Sequence, residues 1–238
     1  SGSNTYSGTT SIAAGTLQLA GGPNRIAGGV LSYTGSSTTL DVTTTSQAFS
    51  AMTFLQPTSG TASLTLAGAG GSVAVAGSSN FEVGPGGAIA TTGIAESLSM
   101  ANLSSFSYTN PTGTFRVGLK SGATNTSTAG TSSIILAQSN AITAATVAVA
   151  DVSASNNGGG GQLLLGQANT LNVTSITQAN GRSESLIQFQ QGLTNPTLVI
   201  RGTNGTGPMG TWVVGSIGQY STATKLTFLI VQGIGGVI

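Results

Sequence analysis

The sequence predicts an all-β protein, a parallel β-helix or β-solenoid made of short strands in stacked coils. Short runs that alternate apolar and polar residues recur along its 238 residues, and Gly, Asn, Ser or Pro separates nearly all of them. The candidate interior residues are mostly Ala, Val, Leu, Ile and Thr, which stack well from coil to coil. Charged residues make up only 5% of the chain. The surface must therefore be mostly Ser, Thr and Asn, whose side chains form ladders without like-charge repulsion.

Most of the predicted strands show the period-two alternation of a half-buried strand. The segment GIAESLSMANLSSFS (93–107) has some helical spacing, but its Ser and Asn content favours a strand followed by a loop. The glycine run NNGGGGQ (156–162) is interpreted as a loop. In chain order the predicted strands are 15–20, 29–35, 38–44, 51–56, 62–68, 72–77, 80–84, 88–93, 114–120, 132–138, 145–151, 162–167, 169–178, 185–191, 197–202, 211–218 and 225–232.

These strands are interpreted as one β-solenoid domain spanning residues 1–238. Residues 1–42 form a repeat-like region, 43–160 are further β-rich coils, and 161–238 are a second repeat-like region with an apolar end. Strand starts recur roughly every 9–20 residues, which predicts coils of about 20 residues. The alternative is a β-sandwich in part of the chain, above all in 43–160. Sandwiches usually need aromatic cores, and the chain has only seven Phe, four Tyr and one Trp, which favours the solenoid.

Composition argues against several classes of function. The net charge is +1 and the basic residues are scattered singly, so no nucleic-acid partner is expected. The chain contains neither Cys nor His, which leaves no thiolate metal site, no disulfide and no histidine general base. No stretch of 18 apolar residues predicts a transmembrane helix, so no membrane span is expected. Metal and cofactor sites are not expected either.

The opening stretch GSNTYSGTTSIAAGTLQLA (2–20) carries a motif of regularly placed residues. It resembles the autotransporter-associated β-strand repeat, also called the passenger-associated transport repeat, of bacterial surface proteins. The segment 163–202 also resembles sequence found in long bacterial surface proteins that carry this repeat. The residues that match the motif are Gly2, Asn4, Tyr6, Gly8, Thr10, Ile12, Gly15, Leu17 and Leu19.

The resemblance implies a right-handed parallel β-helix displayed outside a bacterial cell, and a repeat tied to secretion and folding of the passenger. It transfers no catalytic residue. From the residues themselves, Tyr6 is expected to cover the apolar interior at a coil corner. Gly8 and Gly15 are expected to permit tight turns, and Ile12, Leu17 and Leu19 to point into the stack.

An enzyme is the least favoured hypothesis. Some parallel β-helices act on polysaccharides, and such enzymes cluster their acids on one face. The spacing of Asp41 and Glu82 fits two coils of one face, and Asp151 is a third candidate. The few acids are otherwise interpreted as isolated solvated charges, so no catalytic residue is assigned.

The ends of the predicted solenoid lack the charged residues that usually cap strand edges. The first residues enter directly into the repeat, and the last segment, 226–238, is apolar. An uncapped apolar end favours strand addition from a second copy, and head-to-tail contacts that do not close give a filament. The sequence therefore predicts an extracellular fibre or stalk subunit, or part of a longer chain, that assembles through Phe228, Leu229, Ile230 and Val231. The alternative is an adhesin passenger that binds glycans or a host or neighbouring cell surface.

Overall fold

The computed structural model describes residues 6, 8–26, 28–86, 91–119, 129–152, 158–180 and 183–216. Within these ranges the chain forms eighteen strands and no helix. The strands are β1 (Thr9–Ile12), β2 (Gly15–Gln18), β3 (Val30–Tyr33), β4 (Ser37–Asp41), β5 (Ser46–Phe49), β6 (Ala51–Thr53), β7 (Thr61–Ala67), β8 (Ser72–Ala76), β9 (Phe81–Val83), β10 (Ala95–Ser99), β11 (Ser105–Val117), β12 (Thr131–Ile135), β13 (Ser139–Asp151), β14 (Gly160–Leu165), β15 (Ala168–Asn180), β16 (Glu184–Phe189), β17 (Thr197–Arg201) and β18 (Thr211–Ser216).

The strands form three parallel sheets. Sheet A has the order β1-β3-β6, sheet B runs β2-β4-β7-β10-β12-β14-β16, and sheet C runs β5-β8-β11-β13-β15-β17. In sheet C, β9 pairs with the second half of β11, and β18 pairs with the second half of β15. Strands that follow each other in sequence lie in different sheets, except β8 and β9 and also β17 and β18, which both belong to sheet C. Each strand pairs with one from a neighbouring turn of the chain. This all-β arrangement is compatible with a parallel β-solenoid.

The middle of the chain belongs to the same sheets as its two flanks. Sheet B passes from β2 through β7, β10 and β12 to β16 with parallel pairing at each step. A β-sandwich is built from antiparallel strands. The sandwich considered for 43–160 therefore does not fit the pairing observed there.

The turns of the chain lengthen after the first two. Thr53 contacts Ser32 of the preceding turn across 21 residues, and Ser72 contacts Ser46 across 26. Later turns are longer, since Arg116 contacts Glu82 across 34 residues. The expected coil of about 20 residues is close to the turns near the amino end and to the step from β14 to β16, where Gly160 pairs with Glu184. The longer turns include the connections from β9 to β10 and from β11 to β12.

A column of inward side chains runs from one end of the described stack to the other. Register and ring contacts place Ile12, Tyr33, Phe54, Phe81, Phe115, Val147, Ile176 and Trp212 in succession. Its centre is aromatic: Phe81 stacks on Phe115 with ring centroids 4.8 Å apart, and Phe106 and Tyr108 pack against both. These four rings, with Tyr33 and Phe54 of the column, are half of the chain's aromatic residues. The expectation of a small-residue interior is therefore wrong in this part of the core.

Hydroxyl and amide side chains form ladders between turns. Ser72 donates to Ser46 over 2.8 Å on the outer surface, and Thr146 and Ser175 are 2.9 Å apart. Inside the stack, Asn140 donates from Nδ2 to Oδ1 of Asn169 over 2.9 Å. The low charge content of the sequence is thus matched by columns of neutral polar side chains, and in sheet B the register also aligns Ser37, Ser63, Ser97 and Ser133 in an outward row.

Candidate functional site

The three acidic residues considered for catalysis lie at separate positions in the sheets. Asp41 ends β4 in sheet B, where it accepts hydrogen bonds from Gln18 and Thr43, and these bonds hold its pKa below the usual range. Glu82 lies on β9, which pairs with sheet C, so the sequence-based idea that Asp41 and Glu82 share one face is wrong. Asp151 ends β13 and accepts a hydrogen bond from Asn180 over 2.9 Å. These three candidates for catalysis do not converge.

Two other charged groups are buried together with Glu82. Arg116 lies beside Glu82 in the register of β9 and β11, and its Nε is 3.4 Å from Glu82 Oε1. The arginine side chain is 3% exposed and the glutamate 15%. Nη1 of Arg116 also donates to the Gly118 carbonyl. Burial lowers the pKa of the Arg116 guanidinium, and the charges of Glu82 and Glu96 oppose that shift. Arg116 therefore belongs to a buried ion pair, and Glu82 is not the isolated solvated charge that the sequence suggested.

Glu96 is fully buried on β10, with its side chain on the inward face. Its Oε2 accepts the Gly84 N–H over 2.6 Å, and its own backbone N–H donates to Ser132 Oγ over 3.1 Å. Among the described residues no donor reaches Oε1 with hydrogen-bonding geometry, although the backbone N–H groups of Gln56 and Leu55 lie close enough to lower the pKa of the carboxyl. Burial raises the pKa of the carboxyl to about 7, against the effects of backbone N–H groups and of Arg116. At neutral pH this carboxyl exists in both protonation states.

We call Glu82, Gly84, Glu96, Arg116 and Gly118 the Glu96 corner. It holds two carboxyls and one guanidinium at the place where the chain leaves β9 and β11 for sheet B. Its central acid has no exposed surface. The chemistry open to such a group is proton uptake and release inside the fold, whereas general acid catalysis on a polysaccharide needs contact with the polymer.

Two grooves lie at the two edges of sheet B. One, of about 670 Å³, borders the β2 edge and is lined in part by Tyr6, Leu17 and Gln18. The other, of about 480 Å³, borders β16 and is lined in part by Gln162 and Glu184. No described strand pairs with β2 or β16 on the far side. Both ends of the described sheet therefore present a strand edge and a neighbouring groove.

Several residues of the repeat-like motif lie in the first turn of the structure. Ile12 and Leu19 are buried, and Leu17 is partly buried against the core. Thr10 lies on β1, and Gly15 begins β2 with φ of +68°, a left-handed conformation that favours glycine.

Tyr6 differs from the expectation, because 48% of it is exposed. Its hydroxyl donates to the Thr9 carbonyl over 2.6 Å, and its ring lies against Gly8, where a Cβ would be 2.9 Å from the ring carbon Cζ. Gly8 thus makes room for the ring of Tyr6. The other predicted site residues lie outside the described residues: Gly2, Asn4, Phe228, Leu229, Ile230 and Val231.

The described residues contain no group of three or more His, Cys, Asp or Glu side chains that could hold a metal ion. In the same ranges no helix is long and apolar enough to cross a membrane. Comparisons of the chain with protein-family models, curated proteins and solved structures find no match.

The Glu96 corner was missed in the sequence, although a signal was present. Glu96 follows the alternation of Ile94, Leu98 and Met100, so it occupies an inward position of its strand. Arg116 has no such signal, because it lies between Phe115 and Val117 on the outward face and is nevertheless buried. Its burial depends on long-range packing that alternation does not report.

Proposed function

We propose that the protein is a structural, extracellular subunit of a bacterial cell-surface fibre or stalk, built as a right-handed parallel β-helix and assembled end to end. The observation that carries the proposal is the pair of strand edges at β2 and β16. All described strands are parallel, so both edges have the same polarity. A second copy could extend sheet B in parallel by placing its β2 beside β16 of the first, and such a contact does not close.

The backbone of each edge strand supports this pairing. The Leu19 N–H donates to the backbone carbonyl of Asp41 in the neighbouring strand β4. The Gln190 N–H donates to the backbone carbonyl of Leu165 in β14. Alternate residues of a parallel strand direct their backbone groups to opposite sides. The backbone groups of Thr16 and Gln18 are therefore directed to the open edge at β2, as are those of Ile187 at β16.

The packing of the last described turn also supports an end contact. Ile200 and Trp212 stack on Leu171 and Ile176, which are fully buried. Ile200 and Trp212 themselves are only partly buried. An end of the stack with apolar side chains is stabilised by a further layer. The surface location rests on the repeat-like opening and the low charge content, and Phe228, Leu229, Ile230 and Val231 stay candidates for this end on sequence grounds.

Gln18→Pro is expected to block assembly and leave the fold intact. Proline removes an N–H that is directed away from β4, so the existing ladder keeps its bonds and only the edge is lost. Gln18→Val is the matched control, since both variants lose the exposed 2.9 Å bond to Asp41 and only valine keeps the N–H.

Light scattering over a concentration series checks this prediction. The mean particle mass should grow with concentration for the wild type and Gln18→Val and stay at one chain for Gln18→Pro. Equal growth of all three would exclude the β2 edge as the assembly surface.

A second candidate is an adhesin passenger that binds glycans along its side. The groove beside β16 favours it, because Gln162, Gln188 and Glu184 offer neutral amides and one carboxylate around a partly apolar floor. Such groups hydrogen-bond sugar hydroxyls. An adhesin should bind glycans as a monomer, and Gln162→Ala should weaken that binding, whereas a fibre subunit should assemble with no glycan present.

A further inference from the structure

We propose that protonation of Glu96 controls local opening of the Glu96 corner: the neutral carboxyl keeps the turns at Gly84 and Gly118 closed, and the carboxylate favours their opening. This property belongs to the folded chain and does not depend on assembly. It rests on the contacts between the turns, on a count of the buried charges and on an unpaired oxygen.

Glu96 joins two strands that are not neighbours in one ladder. Its backbone lies in sheet B, where it pairs with Ala62 of the preceding turn, and its carboxyl bonds the N–H of Gly84 just after β9. Gly84 has φ of +125°, and a Cβ there would lie 2.6 Å from the Gly118 carbonyl oxygen. Arg116 donates to that same carbonyl. The carboxyl of Glu96 is thus connected through Gly84 to the Gly118 turn and to the buried ion pair.

The charge count at the corner favours a neutral Glu96. The ionisable groups of the described elements around it are Glu82 on β9 and Arg116 on β11, while β12 contributes the neutral Ser132. Arg116 contacts Glu82, which keeps some exposure to solvent. With both carboxyls ionised, the corner carries one uncompensated negative charge in a buried place, which is costly. With Glu96 protonated, the net charge is zero.

The unpaired oxygen supports the same protonation state. Oε2 already accepts a hydrogen bond, and Oε1 is buried with no donor of the described residues at hydrogen-bonding geometry, although the backbone N–H groups of Gln56 and Leu55 lie near the carboxyl. In the ionised carboxylate, the share of the charge on Oε1 would have no direct hydrogen bond, whereas a proton on Oε1 removes that charge.

The direction of the pH effect follows from the raised pKa of Glu96. The carboxyl binds its proton more tightly in the closed corner than in the open one, where the ordinary value of 4.5 applies. The extra stabilisation is complete below about pH 4.5 and is lost as the pH rises through about 7. Between pH 6 and 8.5 these two values give about a tenfold rise in the population of the open corner.

Amide hydrogen exchange tests the proposal. Protection factors of the Gly84 and Gly118 amides, corrected for the intrinsic effect of pH, should fall about tenfold from pH 6 to 8.5. Glu96→Gln keeps an oxygen for the Gly84 N–H and has no proton to release. The ratio of its corrected protection factors at pH 6 and pH 8.5 should therefore be near one. Asp41→Asn, at an outward carboxyl, should retain the wild-type ratio.

Two results would overturn the proposal: a wild-type ratio near one, or an undiminished ratio in Glu96→Gln. If Glu96→Gln does not fold, carbon-13 NMR titration of the wild-type Glu96 carboxyl decides. A midpoint near 7 supports the proposal, and a midpoint in the ordinary glutamate range near pH 4.3 excludes it.

Discussion

Phe81→Ala is expected to lower the free energy of unfolding by about 3–5 kcal/mol, the largest single effect in the described core. Phe81 is 1% exposed and lies at the centre of the aromatic column. Its ring centroid is 4.8 Å from those of Phe54 and Phe115, 5.4 Å from Phe106 and 5.7 Å from Tyr108. Truncation removes contacts with four rings at once and leaves a cavity that strands hydrogen-bonded on both sides cannot easily close.

Denaturant unfolding followed by circular dichroism measures this loss. Val213→Ala is the control, because Val213 is 37% exposed on β18, and its effect should stay within about 0.5 kcal/mol. Phe81→Leu should fall between the two, since it keeps most of the apolar volume and loses the ring contacts. If the free energy of unfolding of Phe81→Ala lies within about 1 kcal/mol of the wild-type value, the aromatic column does not hold the middle turns together.

Asn169→Ala is expected to cost on the order of 3 kcal/mol, because it leaves several buried polar groups without a partner. The Asn169 side chain accepts the Gly166 N–H over 3.0 Å and donates to the Gly166 carbonyl over 2.8 Å. It also donates to the Thr197 carbonyl and accepts from Asn140, each over 2.9 Å. The residue is 3% exposed, so water cannot replace these bonds without a change in structure.

Asn172→Ala is the matched control for the asparagine ladder. Asn172 lies three residues further along β15, outside the core, and has one long bond of 3.4 Å to Thr143. Its replacement should change stability by no more than about 0.5 kcal/mol. Equal losses of unfolding free energy for Asn169→Ala and Asn172→Ala in the same denaturant experiment would contradict this prediction. They would show that the inward hydrogen bonds of Asn169 do not stabilise the fold more than the outward contact of Asn172.

The strands that alternation predicted are those with one apolar face. The segment ASLTLAG became β7 and SVAVAG became β8, because Leu64, Leu66, Val73 and Val75 all face the core. The segment 93–107 contains a strand followed by a turn, as its Ser and Asn content favoured, but residues 105–107 already belong to β11. Where local alternation and long-range packing agree, the sequence alone is sufficient to predict the strand and its inward face.

Some of the strands that were missed have inward residues that look polar. β5 (Ser46–Phe49) and the first half of β13 were not predicted, because Gln47 and Asn140 take inward positions through hydrogen bonds to distant turns. The first half of β11 was missed as well, although Phe106 and Tyr108 face the core there. Conversely, residues 91–93 of the strand predicted at 88–93 form a turn. Gly160 and Gly161, interpreted as loop, begin β14 and pair with β12. These outcomes depend on partners some 20–30 residues away, which local periodicity does not contain.

The site was predictable only in part. The first turn places Ile12 and Leu19 inward through simple alternation. The Glu96 corner required knowledge of coil length, since Glu82 and Arg116 meet only because one turn spans 34 residues. A uniform coil of about 20 residues would have kept them apart.

Negative-stain electron microscopy of the purified chain across a concentration series shows directly whether copies assemble end to end. Unbranched filaments of the width of one solenoid are expected, which lengthen with concentration and are absent from Gln18→Pro. Single particles of one chain at every concentration would exclude end-to-end assembly and favour glycan binding at the groove beside β16.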